Sequence, residues 1–186
     1  MNQVDKYVSI VPTSSQYDVQ KMGYYAFIHF GINTFIDKEW SDGTASPELF
    51  NPTELSTDNW CEAVKSAGMK AIILTAKHHD GFCLWQTDTT EYSIKNSPYK
   101  DGKGDIMAEL SESCKKYGLK LGVYLSPWDR NSKYYGTPEY NDFYISQLTE
   151  LLTRYGDIFE LWLDGACGSH LDGKAKQVYD FTIIYA

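Results

Sequence analysis

The sequence predicts an α/β fold, a (β/α)8 TIM-like barrel of which the first four to five β/α units are present. Two observations carry this. Four β-rich runs alternate with amphipathic helical patterns, the order that builds a parallel sheet with right-handed crossovers. The long, polar, aromatic-rich loops, 33–52, 78–104 and 127–137, all follow strands, whereas the returns from helix to strand are short. Elaborate loops on one face and tight ones on the other describe a barrel whose site lies at the strand C-termini. A doubly wound nucleotide-binding sheet is the alternative, but no Gly-x-Gly-x-x-Gly follows any strand.

The predicted strands are residues 24–31, 70–77, 120–126 and 159–163. The middle two are nearly continuous apolar runs, as parallel strands covered on both faces should be. A helix capped by Ser56 or Thr57 runs from Asp58 to about Ala67 and closes at Gly68. Trp60, Ala63, Val64 and Ala67 give it an apolar stripe. The next runs from about Asp105 to Tyr117 and closes at Gly118, with Leu110, Cys114 and Tyr117 on one face. The third runs from Pro138, suited to a first helical turn, to Tyr155 and closes at Gly156. Residues 173–179 read as the start of a further helix.

At 186 residues the chain is long enough for one domain with a real core, yet a complete barrel takes about 250. A net charge of -8 argues against nucleic acid and anionic membrane as partners. No apolar run reaches the roughly 20 residues of a membrane span. Residues 1–6 carry no leader pattern, so the expected compartment is the cytoplasm, or the periplasm or exterior if a leader has been removed. Cys61, Cys83, Cys114 and Cys167 form no Cys-x-x-Cys pair and read as free, largely buried thiols.

The strand tips collect polar groups that barrel interiors, rich in branched aliphatics, do not ordinarily hold. The first strand ends in His29. The second runs into His78, His79 and Asp80. The third presents Tyr124 and then Ser126, Pro127 and Trp128. The fourth presents Trp162 and Asp164, followed by Gly165. Two chemistries can use this set. Histidines and a carboxylate can hold a metal for hydrolysis, although adjacent His78 and His79 should point to opposite sides of extended backbone. Alternatively, Asp164 attacks an anomeric carbon while neutral histidines, with Glu39 and Trp40, bind sugar hydroxyls and the apolar face of the ring.

The blocks His29-Phe30-Gly31, Glu39-Trp40, His78 through Trp85, Tyr124 through Trp128 and Trp162 through Gly165 closely resemble the α-L-fucosidases of glycoside hydrolase family 29. The match covers about residues 20–170 in order. The resemblance implies a retaining exo-fucosidase that needs no cofactor or metal. It places residues 1–186 in the N-terminal portion of a catalytic barrel, which a β-sandwich usually follows. It implies that Asp164 is the nucleophile, and that His29, Glu39, Trp40, His78, His79, Tyr124 and Trp162 line the fucose pocket. The loop text is closer to the branch acting on α-1,3/1,4-linked fucose of glycans, which makes a fucosylated oligosaccharide or glycoconjugate the expected partner.

A retaining mechanism needs a second carboxyl group about 5–5.5 Å from the nucleophile, as acid and then base. In the family that glutamate lies beyond the fourth strand, and this chain has no carboxylate after Asp180. Glu39 is the fallback within the chain. The expectation is little or no turnover by these 186 residues alone, the alternative reading being a fucose-binding unit without the acid. An open half barrel also predicts association of two copies.

Overall fold

The computed structural model describes residues 10–168 and 176–185. Its centre is a four-stranded, all-parallel sheet in sequential order. The strands are β1 (Ala26–Ile28), β2 (Ala71–Lys77), β3 (Lys120–Leu125) and β4 (Ile158–Trp162). The crossovers carry α2 (Thr57–Ser66), α3 (Ile106–Tyr117) and α4 (Glu139–Arg154). A helix α1 (Ser14–Met22) precedes the sheet and a short α5 (Phe181–Ile184) lies after it. The sheet is open, with β1 and β4 at its edges.

The sequence signals explain the helix ends. Ser56 caps α2 by accepting from Asn59 N, and Asp105 caps α3 by accepting from Ala108 N. Pro138 stands just before α4. α1 lacks a buried residue, so no apolar stripe betrays it. Its signal is the capping box of Thr13 and Gln16, which bond each other's backbone reciprocally. The helix anticipated over 173–179 is not seen at 176–179; the helical turn starts at Phe181, and residues 173–175 lie outside the described set.

The core sits between the sheet and its helices. Ile72, Leu74, Leu121, Val123 and Leu125 face Cys61, Val64, Leu110, Cys114, Leu148 and Leu151. All four cysteines are free, and the Cys61 and Cys114 sulfurs meet 3.9 Å apart between α2 and α3. β1 is shorter than its apolar run. Past Ile28 the backbone N–H and carbonyl of Phe30 bond the side-chain hydroxyl of Thr75 on β2 in place of that strand's backbone, and the chain turns into a 3-10 helix at Ile32.

The other face of the sheet is the one the site uses. Gly122 lies there because a β-carbon would stand 2.8 Å from both Ile73 Cγ1 and Phe159 Cε1. Two register irregularities set what reaches the strand tips. Between Thr75 and Lys77, β2 has one residue more than β3, so Lys77 aligns with Leu125. Between Ile158 and Leu161, β4 has one more than β3, which pairs Trp162 with Tyr124. Such bulges re-aim the side chains beyond them.

Lys77 is fully buried and needs partners there. Its Nζ bonds Asp129 Oδ2 (3.0 Å) and Gln147 Oε1 (2.8 Å), tying the end of β2 to the loop after β3 and to α4. Glu150, also on α4, accepts from Trp85 Nε1 (2.7 Å), Thr87 Oγ1 (2.7 Å) and Asp88 N (2.9 Å) and anchors the long loop after β2.

Candidate active site

Alternate residues of β1 point to the same side of the sheet. Phe27 meets Tyr124 (ring centroids 5.7 Å) and Trp162 (5.0 Å), both edge-on. Two residues further, the His29 ring stands edge-on to His78 at 4.4 Å. These side chains and Asp164 line a cavity of about 240 Å3 at the C-terminal ends of the strands.

Asp164 follows β4 and keeps its side chain 34% exposed, open to the cavity. Tyr124 Oη donates to Asp164 Oδ2 at 2.7 Å, and the Ala166 amide donates to Oδ1 at 2.8 Å. His79 Nε2 lies 3.9 Å from Oδ2. Burial pushes the Asp164 carboxyl up, but the Tyr124 hydroxyl, the Ala166 amide and the two histidines outweigh it and hold the group below its ordinary value. Asp164 is therefore a carboxylate at neutral pH, held by two donors and with lone pairs to spare.

The histidines go the other way. Burial, reinforced by His79 and His29, depresses the His78 pKa to about 3. Burial also lowers His79 against the pull of Asp164, and lowers His29 against the pull of Glu39. Neutral imidazoles beside one carboxylate give a pocket of donors and acceptors with little net charge, which suits an uncharged, polyhydroxylated ligand.

The expectation that His78 and His79 diverge is overturned. Their rings lie 4.0 Å apart and inclined by only 31°. Both residues follow the end of β2, where the chain turns and Gly81 N bonds the His78 carbonyl, so strand alternation no longer applies. Among the described residues, no group of three or more His, Cys, Asp or Glu is placed to hold a metal ion. Next to the histidines an aromatic cluster rises toward solvent. His79 packs on Trp128 (5.1 Å), and Trp40, 55% exposed, stands edge-on to both His79 (5.5 Å) and Trp128 (6.1 Å). Gly168 closes over Trp128 so tightly that a β-carbon would stand 2.1 Å from the indole.

A family model described as α-L-fucosidase matches residues 14–185. The chain belongs to the α-L-fucosidase family. A glycoside hydrolase 29 member from an unknown rumen bacterium is 52% identical and superposes with a TM-score of 0.86, over 94% of this chain and 32% of that one. A family 29 fucosidase of Ruminococcus gnavus, solved in complex with fucose, is 40% identical with a TM-score of 0.84, over 93% of this chain and 39% of its own. Alpha-L-fucosidase 1 of Arabidopsis thaliana is 52% identical over 172 residues, which are 92% of this chain and 33% of that protein. The chain thus spans about a third of the length of the relatives it matches.

Seen as a member of this glycosidase family, the chain brings His29, His78, Tyr124, Trp162 and Asp164 into one cavity, with His79 against Asp164. Trp40 stands above them. Glu39 is exposed and outside the cavity lining, reaching the site only through its field at His29. Asp80 is buried and serves the fold. It accepts from Phe82 N (2.7 Å) and Asn33 Nδ2 (3.2 Å), and burial raises its carboxyl to about 6. Phe27 in the lining is a site residue the sequence analysis does not name, whereas Ser126, one of the strand-tip residues it does name, packs against His79. Phe27 stands two positions before His29, the strand period that could have found it.

Proposed function

We propose that this chain supplies the nucleophile-bearing half of the active site of a retaining exo-α-L-fucosidase, built on the first half of a (β/α)8 barrel. The observation that carries this is Asp164, an ionised carboxylate open to the cavity at a parallel strand tip and oriented by Tyr124 and Ala166. Asp164 attacks C1 of a terminal α-L-fucose as the leaving oxygen departs with a proton, and an inverted fucosyl ester forms. Water then hydrolyses the ester and restores the configuration. Neutral His29, His78 and His79 exchange hydrogen bonds with the sugar hydroxyls, and Phe27 and Trp162 offer the apolar face on which the ring rests.

The acid and base role needs a carboxyl group about 5–5.5 Å from Asp164. Glu39 is the candidate this chain offers, and its exposure makes a glutamate from beyond these residues the better reading. Terminal fucose in α-1,3/1,4 linkage on glycans is the substrate the loop sequences favour. The second reading, fucose binding without turnover, draws on that exposed position of Glu39.

The test is a mechanism-based 2-fluorofucosyl fluoride, with intact mass and peptide mapping. A single adduct on Asp164, absent in Asp164→Ala, supports the proposal. An adduct elsewhere sinks it. Fucose binding by calorimetry, with no adduct and no turnover of an aryl fucoside or a Lewis trisaccharide, selects the second reading.

A further inference from the structure

Ser126, two residues past Tyr124, is fully buried. Its Oγ lies 2.7 Å from the Trp128 carbonyl oxygen and 2.6 Å from His79 Nδ1. A serine hydroxyl has one proton to donate and can accept elsewhere. The carbonyl has none, so two oxygens at 2.7 Å require the Ser126 proton between them. His79 Nδ1 then faces a lone pair of Ser126 and must carry its own proton. Backbone bonds hold both partners in place: Ser126 N donates to the Lys77 carbonyl (3.0 Å), and Arg130 N donates to the His79 carbonyl (2.9 Å).

We propose that Ser126 is a positioning residue that fixes His79 as the Nδ1–H tautomer, making its Nε2 a permanent hydrogen-bond acceptor beside Asp164. A neutral imidazole with one nitrogen protonated presents a lone pair at the other. Nε2 and Asp164 Oδ2 are then two acceptors 3.9 Å apart, too far to bond each other and unable to share a proton of their own. Only a group that donates satisfies Nε2. The site therefore selects a ligand with a free hydroxyl at this position and rejects the deoxy or O-methyl sugar, because a buried acceptor left unpaired is costly. Burial lowers the His79 pKa and keeps the single tautomer through neutral pH. This role toward a sugar rests on the fucose-pocket reading; the tautomer does not.

The experiment is a long-range 1H–15N correlation on the whole chain labelled with 15N-histidine at pH 7. The expected His79 pattern is a protonated Nδ1 and an unprotonated Nε2. Ser126→Ala should mix the tautomers, Ser126→Thr should restore the wild-type pattern, and fucose affinity should fall about tenfold in the alanine variant, as loss of one hydrogen bond implies. A wild-type His79 protonated at Nε2 overturns the proposal, and needs no variant to fold. So does an unchanged pattern in Ser126→Ala. If the Nδ1–H tautomer is present but L-fucose leaves the His79 signals unmoved, the role toward substrate falls together with the fucose-pocket reading, while the tautomer assignment stands.

Discussion

Tyr124 on β3 donates its phenol hydroxyl at 2.7 Å to the carboxylate of Asp164, which stands two residues past the end of the adjacent parallel strand β4. The bond orients the carboxylate and favours its ionised form. Tyr124→Phe removes it while keeping the ring against Phe27. The Asp164 pKa should therefore rise, as followed by carboxyl-carbon NMR. Loss of a hydrogen bond to a charged group is worth about 1.5–3 kcal/mol, so formation of the Asp164 adduct should slow by roughly tenfold to a hundredfold.

His78 should remain neutral well into acid. Its folded pKa of about 3 lies below the ordinary 6.5, so the folded chain binds fewer protons than the unfolded chain between those values. Its contribution to stability is therefore greatest above pH 6.5 and is lost as pH falls toward 3. Asp80 runs oppositely, raised to about 6 from 3.8, and gives back stability as pH falls through that window. Burial lowers His29 and His79 too, and the Asp164 carboxyl is held below its ordinary value, so each of these site groups loses its contribution to stability as pH falls. Urea unfolding of wild type and His78→Gln should show a shallower loss from pH 7 to 4.5 in the variant. The His78 ring signals should not titrate over that range.

Lys77→Met leaves Asp129 buried, charged and without its cation. Breaking a buried pair in this way costs about 3–5 kcal/mol. Adding Asp129→Asn removes the orphaned charge while keeping an oxygen for the Asn131 and Ser132 amides, and should recover part of the loss. Urea midpoints of the single and double variants measure both effects.

Gly168→Ala drives a methyl into the Trp128 indole. Forced overpacking costs about 1–3 kcal/mol. Because Trp128 supports His79, fucose affinity should weaken along with stability, with a change in tryptophan emission reporting displacement of the ring.

The isolated chain should self-associate. Phe27 and Trp162 keep 40% and 42% of their surface exposed on the open face of the sheet, between edge strands β1 and β4. Light scattering should give a mass above that of one chain, and Phe27→Ser should lower it.

Much of this was legible in the linear sequence, and for identifiable reasons. The middle strands are nearly continuous apolar runs because both their faces are largely covered, and the helices announce themselves through Ser56, Asp105 and the glycines behind them. The polar residues at the strand tips stand out because nothing in barrel packing calls for them. α1 was harder to see, since a helix with no buried residue has no stripe and only its cap speaks for it. Strand alternation predicts that His78 and His79 diverge, and their rings meet instead because both residues lie past the point where the strand ends.

The sequence by itself determined the order of elements, the family and the set of side chains from which the site is made, because periodicity, caps and motif spacing are local properties of the chain. The tertiary structure decided how those side chains meet. An extra residue in β2 and another in β4 shift the register, and the side chains beyond them are re-aimed as a result. Ser126 reaches His79 across 47 residues, and Tyr124 reaches Asp164 across 40. Partnerships at that separation depend on which strand lies beside which and in what register, and pairing between strands fixes both.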